Sequence, residues 1–179
     1  MFVAMRHGEF RKYFYSMLWQ SSGYAMQFLI LGWLVLELTD SGSQLGLVIF
    51  LYGLPNLILM PFAGIAADRL DRRQFLIISQ TVVTLVIVLL ATLTITNSVT
   101  MWHVYIVATI LGAIQGFLMP AGMAIVADLV ERDDILNANS LNSAVFNGTR
   151  ILAPSVAGVI VEFAGIGEAL YVNAACSGL

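Results

Sequence analysis

Long apolar runs recur along the chain and restrict it to one kind of fold. Five runs, at about 13–38, 44–66, 75–96, 102–127 and 139–163, are each longer than the roughly 20 residues that a helix needs to cross a bilayer. Only 11% of the residues are charged, against about 25% in soluble domains. Because hydrocarbon offers backbone groups no partners, runs of this length must be helices. The sequence predicts an all-α integral membrane protein.

A sixth apolar run, at about 167–179, is too short to cross a bilayer. We therefore expect five complete spans and a truncated sixth, preceded by an amino-terminal segment of residues 1–12. The transmembrane part occupies residues 13–179.

The basic residues predict the orientation of the spans. The turns at 40–43, 97–100 and 165–167 contain no lysine or arginine. Cytoplasmic loops carry an excess of these residues, so the amino terminus is expected in the cytoplasm. The basic positions on that side are Arg6, Arg11, Lys12, Arg69, Arg72, Arg73 and Arg132.

Polar side chains inside the spans are the candidate path for a ligand. Gln20, Tyr24 and Gln27 are spaced by four and three residues, so they share one face of the first helix. Amides are costly in hydrocarbon, and this face must meet either a polar cavity or another helix. Both readings remain open, as they do for Gln115 in the fourth span.

The fifth span carries the most informative polar stripe. Asn139, Ser143, Asn147 and Arg150 recur at four, four and three residues. At 1.5 Å per residue, Arg150 lies roughly 16 Å in from Asn139, near the middle of a core about 30 Å thick. A charge at this depth indicates function by default. The alternative is a structural tie to carbonyls or to an amide such as Asn56.

Prolines and glycines inside the spans predict bends and close packing. Pro55 and Pro61 interrupt the second helix, and Pro154 interrupts the fifth. Gly112 and Gly116 form a small-residue pair that allows close helix approach. Another small-residue face is expected at Gly158.

The sequence gives no support to an enzyme, a metal site or a cofactor. Cys176 is the single cysteine, and His7 and His103 have no metal-binding partner near them in the sequence. No nucleophile or carboxylate pair lies at depth in a span. The charged loop, residues 64–73, has interleaved aspartates and is short, so nucleic acid is not an expected partner.

The charged loop reads Gly64-x-x-x-Asp68-Arg69-x-Asp71-Arg72-Arg73. It resembles the loop signature of the major facilitator superfamily. Asp71 replaces the usual glycine, a variant similar to the drug- and siderophore-exporter branch that includes enterobactin and macrolide efflux proteins. Supporting stretches are Trp33 to Thr39, Leu45 to Leu47, Ala63-Gly64, Asn139 to Asn142, and Arg150 to Pro154 followed by Gly158.

The resemblance implies a secondary active transporter of two six-helix halves, of which this chain would be the amino-terminal one. It would export amphiphilic small molecules, such as drugs or siderophores, by alternating access in a bacterial inner membrane. Its expected partners are the lipid bilayer, a small-molecule substrate and the missing carboxyl-terminal half. The charged loop would act as a conformational latch together with Asp128, which follows the fourth span. The loop residues of this latch would be Gly64, Asp68, Arg69, Arg72 and Arg73.

Two positions depart from the family pattern. Gly112 stands where many relatives have an arginine, and Tyr24 stands where an acid often follows the glycine. No carboxylate lies near the midplane of these spans, so proton coupling would depend on the missing half. The alternative function is a non-transporting half-length membrane module, or a remnant, that acts as a partner or scaffold.

Overall fold

In the computed structural model, the described residues form six α-helices. The backbone is described for residues 8–69, 72–129 and 134–178, and the side chains of residues 9, 12, 63–69, 72–73 and 118–129 lie outside that description. No strand occurs in the described ranges. The expected all-α fold is confirmed. The helices are α1 Gly8–Thr39, α2 Gly42–Arg69, α3 Arg72–Ile95, α4 Met101–Leu129, α5 Ile135–Ala164 and α6 Ile166–Ser177.

Four stretches of the described residues are long and apolar enough to span a membrane. They are Tyr13–Thr39, Gly42–Phe62, Gln74–Ile95 and Ile135–Ala164. A shorter apolar stretch, Met101–Phe117, belongs to α4, whose helix continues to Leu129. The chain is therefore a multi-pass membrane protein.

Tight turns join the helices at one end of the bundle. Asp40 ends α1 with φ 48°, and Asn97 follows α3 with φ 53°. Aspartate and asparagine tolerate this left-handed conformation better than most side chains. Gly165 separates α5 from α6 at φ 109°, where glycine is favoured. The short turns bring consecutive helices side by side.

The helices pack in a definite pattern around a main core, and Phe10, Ala138 and Leu141 form a second, smaller buried cluster. α1 lies against α5 and α6, α2 lies mainly against α4, and α3 lies against α6 and α4. The core takes one apolar face from each helix, and α2 contributes little to it beyond Val48. The largest fully buried apolar side chains in this core are Ile30, Leu34, Val35, Ile87, Leu90, Val104 and Leu170.

Backbone approach between α2 and α4 depends on two glycines. A Cβ at Gly112 would lie 2.7 Å from the carbonyl carbon of Tyr52, and one at Gly116 would lie 3.3 Å from the Cα of Asn56. Larger side chains would force the helices apart, because interiors have little space for extra atoms. α2 and α4 therefore form a closely packed pair.

α5 has two different faces. Small and apolar residues spaced mostly by four are buried on one face, among them Thr149, Ala153 and Ala157. The stripe that contains Asn147 and Arg150 is exposed on another. The buried face fixes α5 against its neighbours, and the exposed stripe remains available.

Candidate functional site

The polar face of α1 is half-buried near its amino-terminal end and buried further along. Gln20 donates from Nε2 to the Oγ of Ser16, 3.2 Å away on the same helix. Tyr24, at the midpoint of α1, is half-buried, and Gln27 is 6% exposed. This face therefore points into the bundle and not toward lipid.

Tyr24 connects three helices. Its hydroxyl accepts a hydrogen bond from the hydroxyl of Tyr52 on α2, with 3.3 Å between the oxygens. Its ring stacks on Phe146 of α5, with centroids 6.3 Å apart and planes inclined by 24°. Offset stacking of this kind adds about 0.5–1.5 kcal/mol beyond burial. Tyr24 is thus held by its hydroxyl against α2 and by its ring against α5.

Arg150 continues this arrangement one turn along α5. The central carbon of its guanidinium lies 5.8 Å from the centroid of Phe146, a cation–π distance. Arg150 lies at the midpoint of the thirty-residue helix α5 and is exposed. We call the set Tyr52, Tyr24, Phe146 and Arg150 the aromatic–arginine ladder.

The structure does not give Arg150 the amide partner considered as an alternative. Among the described residues, Arg150 makes no hydrogen bond and no ion pair, to Asn56 or to any other side chain. The one interaction described for Arg150 is its cation–π contact with Phe146. Guanidinium has five N–H donors, and those donors have no described protein acceptor.

The rest of the α5 stripe is also exposed. Asn139, Ser143 and Asn147 are open to the surroundings on the side that carries Arg150. Asn147 donates from Nδ2 to the backbone carbonyl of Ser143 at 2.8 Å, and its amide oxygen accepts no described hydrogen bond. The stripe presents donors and acceptors from one end of α5 to its middle.

Among the candidates on α2 and α4, Asn56 lies at the contact between those helices. Asn56 and Gln115 are half-buried, and the backbone of Asn56 meets Gly116. Pro55 and Pro61 lie inside the continuous helix α2, and Pro154 lies inside α5.

Gly158 differs from the other candidate packing glycines. A Cβ added there would meet nothing within 4 Å. The small-residue contact expected at this position is not made within the described part of the chain.

The latch residues fall where the structure describes little. Gly64, Asp68 and Arg69 belong to α2, Arg72 and Arg73 open α3, and Asp128 lies near the end of α4. Their side chains lie outside the described residues, as does all of Asp71. The latch remains a prediction from the sequence.

Sequence reasoning missed how α6 docks. Asn173 is fully buried and donates from Nδ2 to the backbone carbonyl of Gly23 on α1. Gln80 of α3 donates from Nε2 to the carbonyl of Ser177 at 2.6 Å. A lone amide in an apolar segment, and a glycine between polar residues on α1, are the signals that could have indicated this contact.

No group of three histidine, cysteine, aspartate or glutamate side chains that could hold a metal ion is found among the described residues. The site therefore consists of an arginine, aromatic rings and neutral amides. Such a set can bind and orient a ligand through charge, stacking and hydrogen bonds.

Several helices that are long and apolar enough to cross a membrane, in an all-helical fold, are typical of membrane transport proteins. The family described as transmembrane secretion effector matches residues 1–178. The chain belongs to this family, a branch of the major facilitator superfamily.

Curated relatives agree with this family. An uncharacterized MFS-type transporter, YfiS, of Bacillus subtilis (strain 168) is 23% identical over 138 residues, which is 77% of this chain and 32% of the relative. The staphyloferrin A transporter of Staphylococcus aureus (strain NCTC 8325 / PS 47) is 32% identical over 132 residues, 73% of this chain and 33% of the relative. The multidrug efflux pump Tap of Mycolicibacterium fortuitum is 28% identical over 148 residues, 79% of this chain and 36% of the relative.

The chain spans about a third of the length of the curated relatives it matches. The region that matches is therefore one part of each relative.

Proposed function

We propose that the chain forms the amino-terminal half of a secondary active transporter that exports amphiphilic small molecules by alternating access. Two relatives are named for a siderophore and for multidrug efflux, which supports the exporter branch that the charged loop resembles. The observation that carries the proposal is the exposed polar stripe of α5, with Arg150 at the middle of the helix.

The stripe cannot face hydrocarbon at low cost. An unpaired arginine at the centre of a bilayer costs from about 3 to more than 10 kcal/mol. Arg150 has no described hydrogen-bond or ion-pair partner on this bundle. The face that carries Arg150 and Asn147 therefore meets water, a ligand or a second protein surface, as the wall of a transport path does.

A second half would supply the opposing wall of that path. α2 takes little part in the core, and its large apolar side chains such as Leu57 and Ile58 are exposed. The chain covers about a third of its curated relatives, so another region of the complete protein is proposed to cover the exposed stripe of α5. The amino terminus would lie in the cytoplasm, as the basic residues predict.

The charged loop is proposed to control the rocking of the two halves. Asp68 would contact a helix end of the second half, where a carboxylate gains up to about 1 kcal/mol from the helix dipole. Arg72 would pair with Asp128. Contacts of this strength form in one conformation and break in the other.

The test is efflux from cells that express the complete reading frame encoding this chain. The probes are ethidium, Nile red and carboxyfluorescein, which are a cationic, a neutral and an anionic dye, measured with and without a proton gradient. Arg150→Ala and Asp68→Asn should impair efflux of at least one dye while membrane insertion stays intact. Arg11→Ala and Asp40→Asn are matched controls, because both residues are exposed near helix ends.

Efflux equal to that of empty cells for every dye would reject the transporter. It would favour a non-transporting module or scaffold. Wild-type efflux from both Arg150→Ala and Asp68→Asn would reject the roles assigned to these residues.

A further inference from the structure

We propose that the aromatic–arginine ladder is a subsite for an amphiphilic monocarboxylate. The carboxylate would bind the N–H edge of Arg150, and the apolar body of the ligand would lie against Phe146 and Tyr24. The inference rests on the proposed transport function and names the substrate class of the same site.

The charge of Arg150 sets the sign and geometry of the ligand group. Guanidinium presents paired N–H donors in a plane, which matches the two oxygens of a carboxylate. The contact with Phe146 is made to the aromatic ring and takes up no hydrogen-bond acceptor, so the N–H donors stay available. No carboxylate of the described residues lies in ion-pair range of Arg150, so a ligand can supply the missing anion.

The ladder holds Arg150 in place before a ligand arrives. Phe146 contacts both the guanidinium of Arg150 and the ring of Tyr24. The hydroxyl of Tyr52 in turn links Tyr24 to α2 through a hydrogen bond. A side chain that is already ordered loses less conformational freedom when it binds. The ladder therefore reduces the entropic cost of binding an anion at this position.

The aromatic rings set the second requirement, an apolar body. Phe146 and Tyr24 are each half-buried, so part of each side chain stays open to a ligand. A small inorganic anion would satisfy Arg150 and leave these rings uncovered. A ligand with a carboxylate on a flat apolar group covers both, and it is amphiphilic as the proposed transport function requires.

The experiment measures binding of naphthoate and of its neutral amide, naphthamide, to the complete protein in lipid nanodiscs. The two probes share the same ring system and differ in charge. The wild-type protein should bind naphthoate about 10-fold or more tightly than naphthamide, as one charge-assisted contact allows. Arg150→Gln should remove that preference and leave naphthamide affinity within about 2-fold.

Two further variants separate the parts of the subsite. Arg150→Lys keeps the charge and loses the planar pair of donors, so naphthoate affinity should fall between those of wild type and Arg150→Gln. Phe146→Leu should weaken naphthoate binding because it removes the support under Arg150. Phe163→Leu is the matched control, since Phe163 is an exposed phenylalanine of the same helix.

Several results would overturn the subsite. One is a wild-type protein that binds neither probe, and another is equal affinity for the two. A third is Arg150→Gln losing both probes equally while its thermal unfolding stays normal, because Arg150 would then shape the cavity or pair with an acid of the second half.

Failure of the subsite and failure of the transport proposal are distinguishable. Efflux of ethidium or Nile red by a protein with no naphthoate preference would retain the transporter and reject the subsite. Selective naphthoate binding by a protein that moves no dye would retain the subsite and reject the transporter.

Discussion

Replacing Gly112 with alanine tests the close approach of α2 and α4. The new Cβ would lie 2.7 Å from the carbonyl carbon of Tyr52. Ordinary contact begins near 3.4 Å, and the carbonyl oxygen of Tyr52 lies closer still, so the backbone of α2 must retreat by more than about 0.7 Å at this point. The obstacle is backbone, which cannot rotate away as the end of a flexible side chain can.

The size of the stability loss follows from comparison with a glycine that has free space around it. Gly53 lies on α2, and a Cβ there would meet nothing within 4 Å. Both substitutions gain up to about 1 kcal/mol of helix propensity, and this gain cancels between the two variants. The difference that remains is the overpacking of Gly112, about 1–3 kcal/mol. Gly116→Ala should fall between them, since its nearest contact is the carbonyl oxygen of Asn56 at 2.9 Å.

The assay is thermal unfolding in detergent, followed with a thiol-reactive fluorescent dye. Cys176 is the single cysteine and is 7% exposed, so the dye reports its release. At about 2–4 °C per kcal/mol for a chain of this size, Gly112→Ala should unfold about 2–12 °C below Gly53→Ala. Equal unfolding temperatures, or a higher one for Gly112→Ala, would refute the close packing of α2 on α4.

Two further predictions concern α6 and the orientation in the membrane. Gln80→Leu removes the hydrogen bond to the carbonyl of Ser177 and should lower the stability by about 1 kcal/mol in the thiol assay. Thr81→Val, at an exposed site of α3, should lower it less. Equal losses of stability would contradict the hydrogen bond between α3 and α6. In a background without the native cysteine, Asp40→Cys should react with an impermeant maleimide in intact cells and Asp134→Cys only after permeabilisation, and the opposite pattern would reverse the predicted topology.

The sequence predicted the fold because the membrane leaves few alternatives. An apolar run longer than the bilayer is thick must form a helix, and such runs can be counted without knowing how they pack. The positions where the helices begin and end were harder to predict from the sequence. α1 begins at Gly8 and α5 at Ile135, several residues before the apolar runs, because a helix continues into the interface after its hydrophobic residues end.

The sequence identified the polar faces and missed their partners. Spacing placed Gln20, Tyr24 and Gln27 together because residues three and four apart share a helix face. It gave no reason to connect Tyr24 with Tyr52 or Phe146, since contacts between helices depend on how each helix is rotated and how far it is shifted. The docking of α6 through Asn173 was missed for the same reason.

The packing also predicts which helices move together. α2 is joined to α4 by backbone contact at Gly112 and touches α1 at fewer points, among them the bond between Tyr52 and Tyr24. A hydrogen bond contributes about 0.5–1.5 kcal/mol, so α2 can separate from α1 at far lower cost than from α4.

If the proposed alternating access moves α2 and α4 as a unit, a link between α1 and α2 should block efflux and one between α2 and α4 should not. Cysteines replacing Tyr24 and Tyr52, joined by a bis-maleimide, provide the first link. Cysteines replacing Gln44 and Tyr105, whose side chains are hydrogen-bonded across α2 and α4, provide the matched control. Efflux that survives the first link, or that is lost equally with both, would show that α2 and α4 do not move as a unit relative to α1. Because unlinked double-cysteine protein measures the effect of the substitutions themselves, the comparison isolates the constraint on motion.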